Sequence, residues 1–184
     1  MNTIDNILSR NSTPRLVEPI PSKDELEVVY QCALRAPDHA WLRPWRFIEV
    51  SGKGLDKLSK AFENTASALG DNLPERLLKY KSLPYRAPLI IVIVSDIKEH
   101  SKVPPIEQKL SAAAATQNML LALHDLGFGA IWRTGKVSFN EVISKELELP
   151  KSNEVIGYLY IGTPDGRQKK IPELKSEEFV TVWE

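Results

Sequence analysis

Pro88-Leu89-Ile90-Ile91-Val92-Ile93-Val94 runs without a polar side chain, and five of its residues in succession are β-branched. Such a run fits a strand whose two faces are both covered, because branching at Cβ suits the pleat and the absence of alternation leaves no face for water. It predicts a central strand. With Ala87 it is the longest purely apolar stretch of the chain, far short of the roughly 20 residues a helix needs to cross a bilayer.

Outward from this strand, Trp45-Arg46-Phe47-Ile48-Glu49-Val50 alternates as a second strand, and Leu55 to Leu69 returns to helical periodicity. Gly52-Lys53-Gly54 lies between them, but the third glycine of a dinucleotide fingerprint is Lys57 here. The segment is therefore read as a polar strand-to-helix turn. Arg76 to Lys81 is a further helix candidate. On the C-terminal side, the alanine-rich stretch from Pro105 to Leu126 predicts the longest helix, ended by Gly127. A strand at Ala130 to Arg133, a helix at Asn140 to Leu147 and a strand at Val155 to Ile161 come next. The segment Thr163 to Lys175 is loop in composition. The tail Phe179-Val180-Thr181-Val182-Trp183 has strand composition and is a candidate for pairing with a sheet of its own subunit or a partner's. Towards the N-terminus, Ile4, Ile7 and Leu8 predict a short helix from Thr3 to about Arg10. Ser22, with Glu25 three residues on, caps a helix over Lys23 to Leu34 that stops before Pro37. The expectation is an α+β chain forming a single domain over 1–184, with a central antiparallel or mixed sheet flanked by helices.

With 184 residues, 42% of them hydrophobic, the chain can bury one sizeable core. Its 24 basic and 24 acidic side chains cancel, so no global field draws it to nucleic acid or to an anionic membrane. Any anion it binds must be held by local cations. Cys32 is the only cysteine, which excludes an intrachain disulfide and fits a reducing compartment. The residues Met1 to Ser9 lack the basic start and apolar centre of a signal peptide. Cytoplasm is the compartment expected. His39, His100 and His124 show no metal-type spacing, and no G-x-S-x-G, Walker A or H-E-x-x-H pattern occurs. The usual hydrolase and phosphotransferase signatures being absent, any chemistry is expected from a cofactor.

Three segments could serve one. Ser9-Arg10-Asn11-Ser12 places a cation and small polar groups at a chain bend, either a phosphate holder or an ordinary solvated helix end. Leu34-Arg35-Ala36-Pro37-Asp38-His39-Ala40-Trp41-Leu42-Arg43-Pro44-Trp45 is a proline-stiffened loop, suited equally to a planar ligand and to closing a core. Gly127-Phe128-Gly129-Ala130-Ile131-Trp132-Arg133-Thr134-Gly135 is a glycine-bounded strand ending in a cation that could meet a phosphate or simply face solvent.

In order and together, Arg10-Asn11-Ser12, Arg35-Ala36-Pro37-Asp38-His39 with Pro44-Trp45, and Ile131-Trp132-Arg133 resemble the nitroreductase family, most closely its minimal YdjA-like subgroup. Arg86-Ala87-Pro88, Val103-Pro104, the G-x-L-Y-x-G-T-P pattern from Gly157 to Pro164 and the closing Phe179-Val180-Thr181 extend the resemblance over nearly the whole chain. The resemblance implies a nitroreductase-like fold, and a homodimer with FMN at the subunit interface. It implies that Arg10, Asn11 and Ser12 hold the FMN phosphate and ribityl chain, with Arg133 as a second phosphate cation. Ile131 and Trp132 would line the cofactor, while Arg35 and His39 would reach it from the partner subunit. Arg35 is then the candidate cation beside flavin N1 and O2. NADH or NADPH would reduce the flavin, and a nitroaromatic, quinone or similar small-molecule acceptor would reoxidise it in a ping-pong cycle. The same fold family contains flavin-dependent dehydrogenases and other chemistries, and a non-catalytic flavin-binding or redox-sensing module is the reading outside enzymes. Asn11 departs from the subgroup, which has arginine there, and Arg43 replaces its glutamine before Pro-Trp.

Overall fold

The computed structural model describes residues 1–167 and 169–184. The apolar run forms β3 (Leu89–Asp96), with every residue from Leu89 to Ser95 buried. On one side it pairs antiparallel with β2 (Trp45–Ser51), in a register running from Trp45 opposite Ser95 to Ser51 opposite Leu89. On the other it pairs antiparallel with β5 (Asn153–Pro164), from Leu89 opposite Ile161 to Asp96 opposite Asn153. β5 also pairs antiparallel with β4 (Gly129–Arg133) and, through its last two residues, with the two-residue β1 (Leu16–Val17). The sheet order is β1-β5-β3-β2, with β4 joined to β5. The sheet expected to be antiparallel or mixed is antiparallel in all of these pairings.

Alternation along the strands sorts the core into two clusters, one on each face. Leu89, Ile91, Ile93, Trp45, Leu159 and Ile161 pack against α2 (Lys23–Ala33) and α5 (Pro105–Asp125) through Leu26, Val29, Ala33, Ala112, Ala115, Met119 and Leu123. Ile90, Val92, Val94, Val50, Tyr158 and Tyr160 pack against α3 (Gly54–Ala68) and α6 (Glu141–Glu146) through Leu55, Leu58, Phe62 and Ile143. α4 (Pro74–Ser82) leans on α3 and buries no residue of its own. The fully buried Ala112 and Ala115 let α5 approach the sheet and α2 closely. The Ser22–Glu25 capping box forms as expected: the Ser22 hydroxyl accepts from the Glu25 amide while the Glu25 carboxylate accepts from the Ser22 amide at 2.7 Å.

Two local irregularities shape the edges of this sheet. Between Ile93 and Val94 the β3–β5 register shifts, and the shift falls at Gly157, whose φ is +150°. A Cβ there would run into Trp132 Nε1 and stand 3.0 Å from the Arg133 carbonyl oxygen. Glycine thus lets the Trp132 indole lie directly on the β5 backbone. The tail, read as a candidate for pairing with its own or a partner's sheet, pairs with no strand among the described residues of this chain. After a short 3-10 turn at Ser176–Glu178, Phe179, Val180, Val182 and Trp183 are all exposed.

Candidate functional site

α1 (Thr3–Ser9) is capped by Asn2, whose side chain accepts from the Asp5 amide, and is tied to the end of α5 by Asn6 Nδ2, which donates to the Leu121 carbonyl at 3.1 Å. The chain leaves α1 extended at Arg10 and runs beside β4, where the Thr13 amide donates to the Ala130 carbonyl at 3.1 Å. Arg10, Asn11 and Ser12 are thereby held between the last turn of α5 and the edge of β4. The residues after β5 come back to the same place. The Asp165 amide donates to the Arg15 carbonyl at 3.1 Å, and Asn11 Nδ2 donates to the Lys169 carbonyl at 2.9 Å.

These segments enclose a cleft of about 380 Å³. Its walls are Ser9 to Arg15, the α5 residues Leu120 and His124, the glycine-led start of β4 from Gly127 to Ala130, and Pro164 to Arg167 with Lys169. Arg10, Arg15, Arg167 and Lys169 give it four cations against one carboxylate, Asp165. Among the described residues none of the four is in a salt bridge. The carbonyls at the end of α5 are occupied by the chain's own amides: Gly127 N–H bonds the His124 carbonyl at 3.1 Å and Phe128 N–H the Leu123 carbonyl at 2.9 Å. That closure satisfies these carbonyls within the chain. At Gly129 a Cβ would meet Leu16, Thr13 and Pro164 side-chain carbons at 2.8 to 3.1 Å, so glycine lets the N-terminal segment lie against β4.

His124 joins the set through Ser9. The Ser9 hydroxyl donates to the Asp5 carbonyl at 2.6 Å and lies within hydrogen-bond distance of His124 Nε2, at 3.0 Å. Burial, and then the nearby Arg10 charge, hold the His124 pKa below the ordinary histidine value, with Asp125 opposing. An anion in the cleft would cancel part of the Arg10 effect.

Of the residues singled out from sequence, Arg10, Asn11 and Ser12 share this cleft and the other five do not line it. Ile131 and Trp132 turn their side chains to opposite core clusters. Their strand nevertheless borders the cleft with backbone. Antiparallel pairing alternates inward and outward groups, and because the Ala130 carbonyl faces away from β5 to meet Thr13, the Trp132 N–H and C=O face that free edge too. Arg133 sits over the Tyr160 ring, with its guanidinium carbon 5.6 Å from the centroid, and its Nε is buried without a partner. Arg35 follows the end of α2 and is exposed. His39 Nδ1 is 2.8 Å from Glu107 Oε2 at the start of α5. The loop beyond it holds Ala40, Trp41 and Arg43 at φ of +59°, +55° and +48°, tethered where the Arg43 amide donates to the Asp38 carboxylate at 2.7 Å. Non-glycine residues adopt that conformation at a cost that the surrounding contacts must meet. Here it leaves Trp41 80% exposed beneath the Arg43 guanidinium.

Sequence reasoning missed Arg15, His124, Arg167 and Lys169. For Arg167 and Lys169 the one signal was the density of cations just past a buried strand, in the segment read as loop, while Arg15 and His124 gave none. Only the return of that loop to α1 assembles them.

The nitroreductase family model matches residues 7–163. YdjA of Escherichia coli (strain K12), provisionally named an NAD(P)H nitroreductase, is 35% identical over 164 residues, covering 89% of each chain. A Haemophilus influenzae protein provisionally given the same enzyme name is 32% identical over 183 residues, covering 98% of this chain and 99% of its own. Among solved structures, a nitroreductase-like family protein from Bacillus cereus superposes with a TM-score of 0.81 at 23% identity, covering 100% of this chain and 97% of that one. A nitroreductase with bound FMN from Bacteroides fragilis superposes at 0.76 and 21% identity, covering both chains fully.

Proposed function

This chain belongs to the nitroreductase family, and from that premise we propose that it is an FMN-dependent NAD(P)H oxidoreductase whose cationic cleft holds the cofactor's phosphate. The observation that carries this reading is the convergence of Arg10, Arg15, Arg167 and Lys169, without carboxylate partners among the described residues, on one cleft with a single acidic wall residue. A phosphate dianion matches such a donor set, since charge-assisted hydrogen bonds are strong where the cations have no competing anion. Arg10 and Ser12 keep the role the resemblance implied. The second phosphate cation is better supplied by Arg15, Arg167 and Lys169 than by Arg133, which lies four residues along β4, roughly 13 Å from Gly129 at strand rise.

When bound, FMN supplies hydride transfer from NADH or NADPH and onward reduction of a nitroaromatic, quinone or similar acceptor in alternating half-reactions. The protein positions it. The outward backbone of Trp132 offers a donor and an acceptor along the β4 edge, where a planar ring continuing from the phosphate would lie. Arg35 and His39 are exposed and line no part of this chain's own cleft, which supports their acting on the cofactor of a second copy in a homodimer. The apolar side chains left uncovered on α2, at its C-cap and on α5, Val28, Leu34, Ile106 and Leu110, support the same arrangement.

The test is the visible spectrum of purified protein after incubation with FMN and gel filtration. Retained yellow colour, bleached by anaerobic NADH or NADPH and restored by a nitroaromatic or quinone, is expected. Protein that stays colourless after reconstitution removes the proposal.

A further inference from the structure

We infer that Asn11 is a positioning residue that clips the segment following β5 to the N-terminal arm, and so sets the Arg167 and Lys169 side chains at the cleft before any anion arrives. The inference rests on the reading of the cleft as a phosphate holder and deepens it.

The Asn11 side chain both donates and accepts. Its Nδ2 donates to the Lys169 carbonyl at 2.9 Å, across 158 residues of chain. Its Oδ1 accepts from the Ser12 amide at 2.8 Å. Both partners are backbone groups, one on each wall of the cleft. Beyond the β1–β5 pairing, the backbone tie between these walls among the described residues is the Asp165 amide to the Arg15 carbonyl at 3.1 Å, at the near end of the segment. Arg167 lies between that tie and Lys169, so the two bonds hold the segment on both sides of the cation. Without the Asn11 bond the far end is exposed and unanchored by any other hydrogen bond among the described residues.

The substitution relative to the YdjA-like pattern changes meaning accordingly. An arginine at 11 would bring charge, but its guanidinium would replace a short amide that reaches one carbonyl. Here the charge comes from Arg167 and Lys169, and Asn11 lowers the ordering cost that these long side chains and their loop would otherwise add on binding.

The experiment compares full-length wild type with Asn11→Ala, Asn11→Arg, Arg167→Ala and the Asn11→Ala/Arg167→Ala double variant. In the absence of flavin, hydrogen exchange at the amides of Gly166, Arg167, Lys169 and Lys170 should quicken in both Asn11 variants, including the one that adds a cation. By titration, Asn11→Ala should raise the Kd for FMN by about tenfold, the factor carried by one hydrogen bond. Riboflavin, which lacks the phosphate, should bind all the proteins alike. In the Arg167→Ala background part of the Asn11→Ala effect should vanish, because the clip then has only Lys169 left to place. Unchanged exchange in the loop, an equal loss with riboflavin, or strict additivity in the cycle would each overturn the inference. Failure of the wild type to bind FMN would instead strike the flavin reading, and the exchange data alone would then judge the clip.

Discussion

Asp71, between α3 and α4, shows how one side chain can hold distant parts of the chain. Only 5% exposed, its carboxylate accepts from Arg76 Nη1 at 2.9 Å, from the Tyr80 hydroxyl at 3.2 Å and from Lys136 Nζ at 3.2 Å. Lys136 belongs to the loop that follows β4, so Asp71 fastens that loop to the helices on the α3 face. The Arg76 hydrogen bond, followed by those from Lys136 and Tyr80, holds the carboxyl below its usual pKa against the opposing effect of burial. Its stabilising contribution is therefore complete above the unfolded value of about 3.9 and is lost as pH falls through the lower folded value. Asp71→Asn should lower the Tm at neutral pH, and the gap to wild type should close as melts are taken into that acidic window. A gap independent of pH would sink this account. In the cleft, Arg10→Ala should raise the Kd for FMN by roughly 10- to 100-fold, as expected for a hydrogen bond to a charged group, while leaving riboflavin affinity unchanged. Equal losses for the two ligands in a titration would deny Arg10 its phosphate role.

At the scale of elements, β5 organises the site. It is the strand on which β3, β4 and β1 all converge, and its end delivers the cationic segment to the cleft. Its irregularity at Gly157 accommodates the Trp132 indole, and so links the packing of β5 to the placement of the β4 edge. Gly157→Ala combines a left-handed backbone with a collision against Trp132 and the Arg133 carbonyl. It should cost about 2–4 kcal/mol, read from the urea midpoint at constant m. A cost within experimental scatter would mean that Trp132 has another place to go.

For the molecule as a whole, the exposed tail is the largest departure from a closed surface. Phe179, Val180, Val182 and Trp183 are 72%, 61%, 73% and 93% exposed, a concentration of apolar side chains that a monomer in water does not favour. Together with the uncovered residues of α2 and α5 it fits a surface completed by a second copy. Sedimentation should find a dimer, and a chain ending at Glu178 should dissociate at higher concentration than the full chain. Identical dissociation constants would free the tail from that role.

The range of each interaction decides how much of the fold and of the cleft is legible in the chain itself. The apolar run at 88–94, the capping box at Ser22 and Glu25, and the glycine after α5 are local signals, and each produced the expected element because burial pattern and hydrogen-bond caps act within a few residues. β1 escaped because two residues carry no periodicity, and the tail's partner could not be chosen because strand composition says nothing about where an edge is free. Arg10, Asn11 and Ser12 could be named from sequence, since they are contiguous and the family resemblance gave their bend a role. Arg15, His124, Arg167 and Lys169 could not be joined to them, nor could Arg133 be separated from them. The sequence by itself determined the two-faced core strand, the helices that cover it and the family pattern. Only the tertiary structure decided which cations share a cleft, because that depends on β5 carrying the chain back to α1 and on a side-chain amide at position 11 reaching a carbonyl 158 residues away.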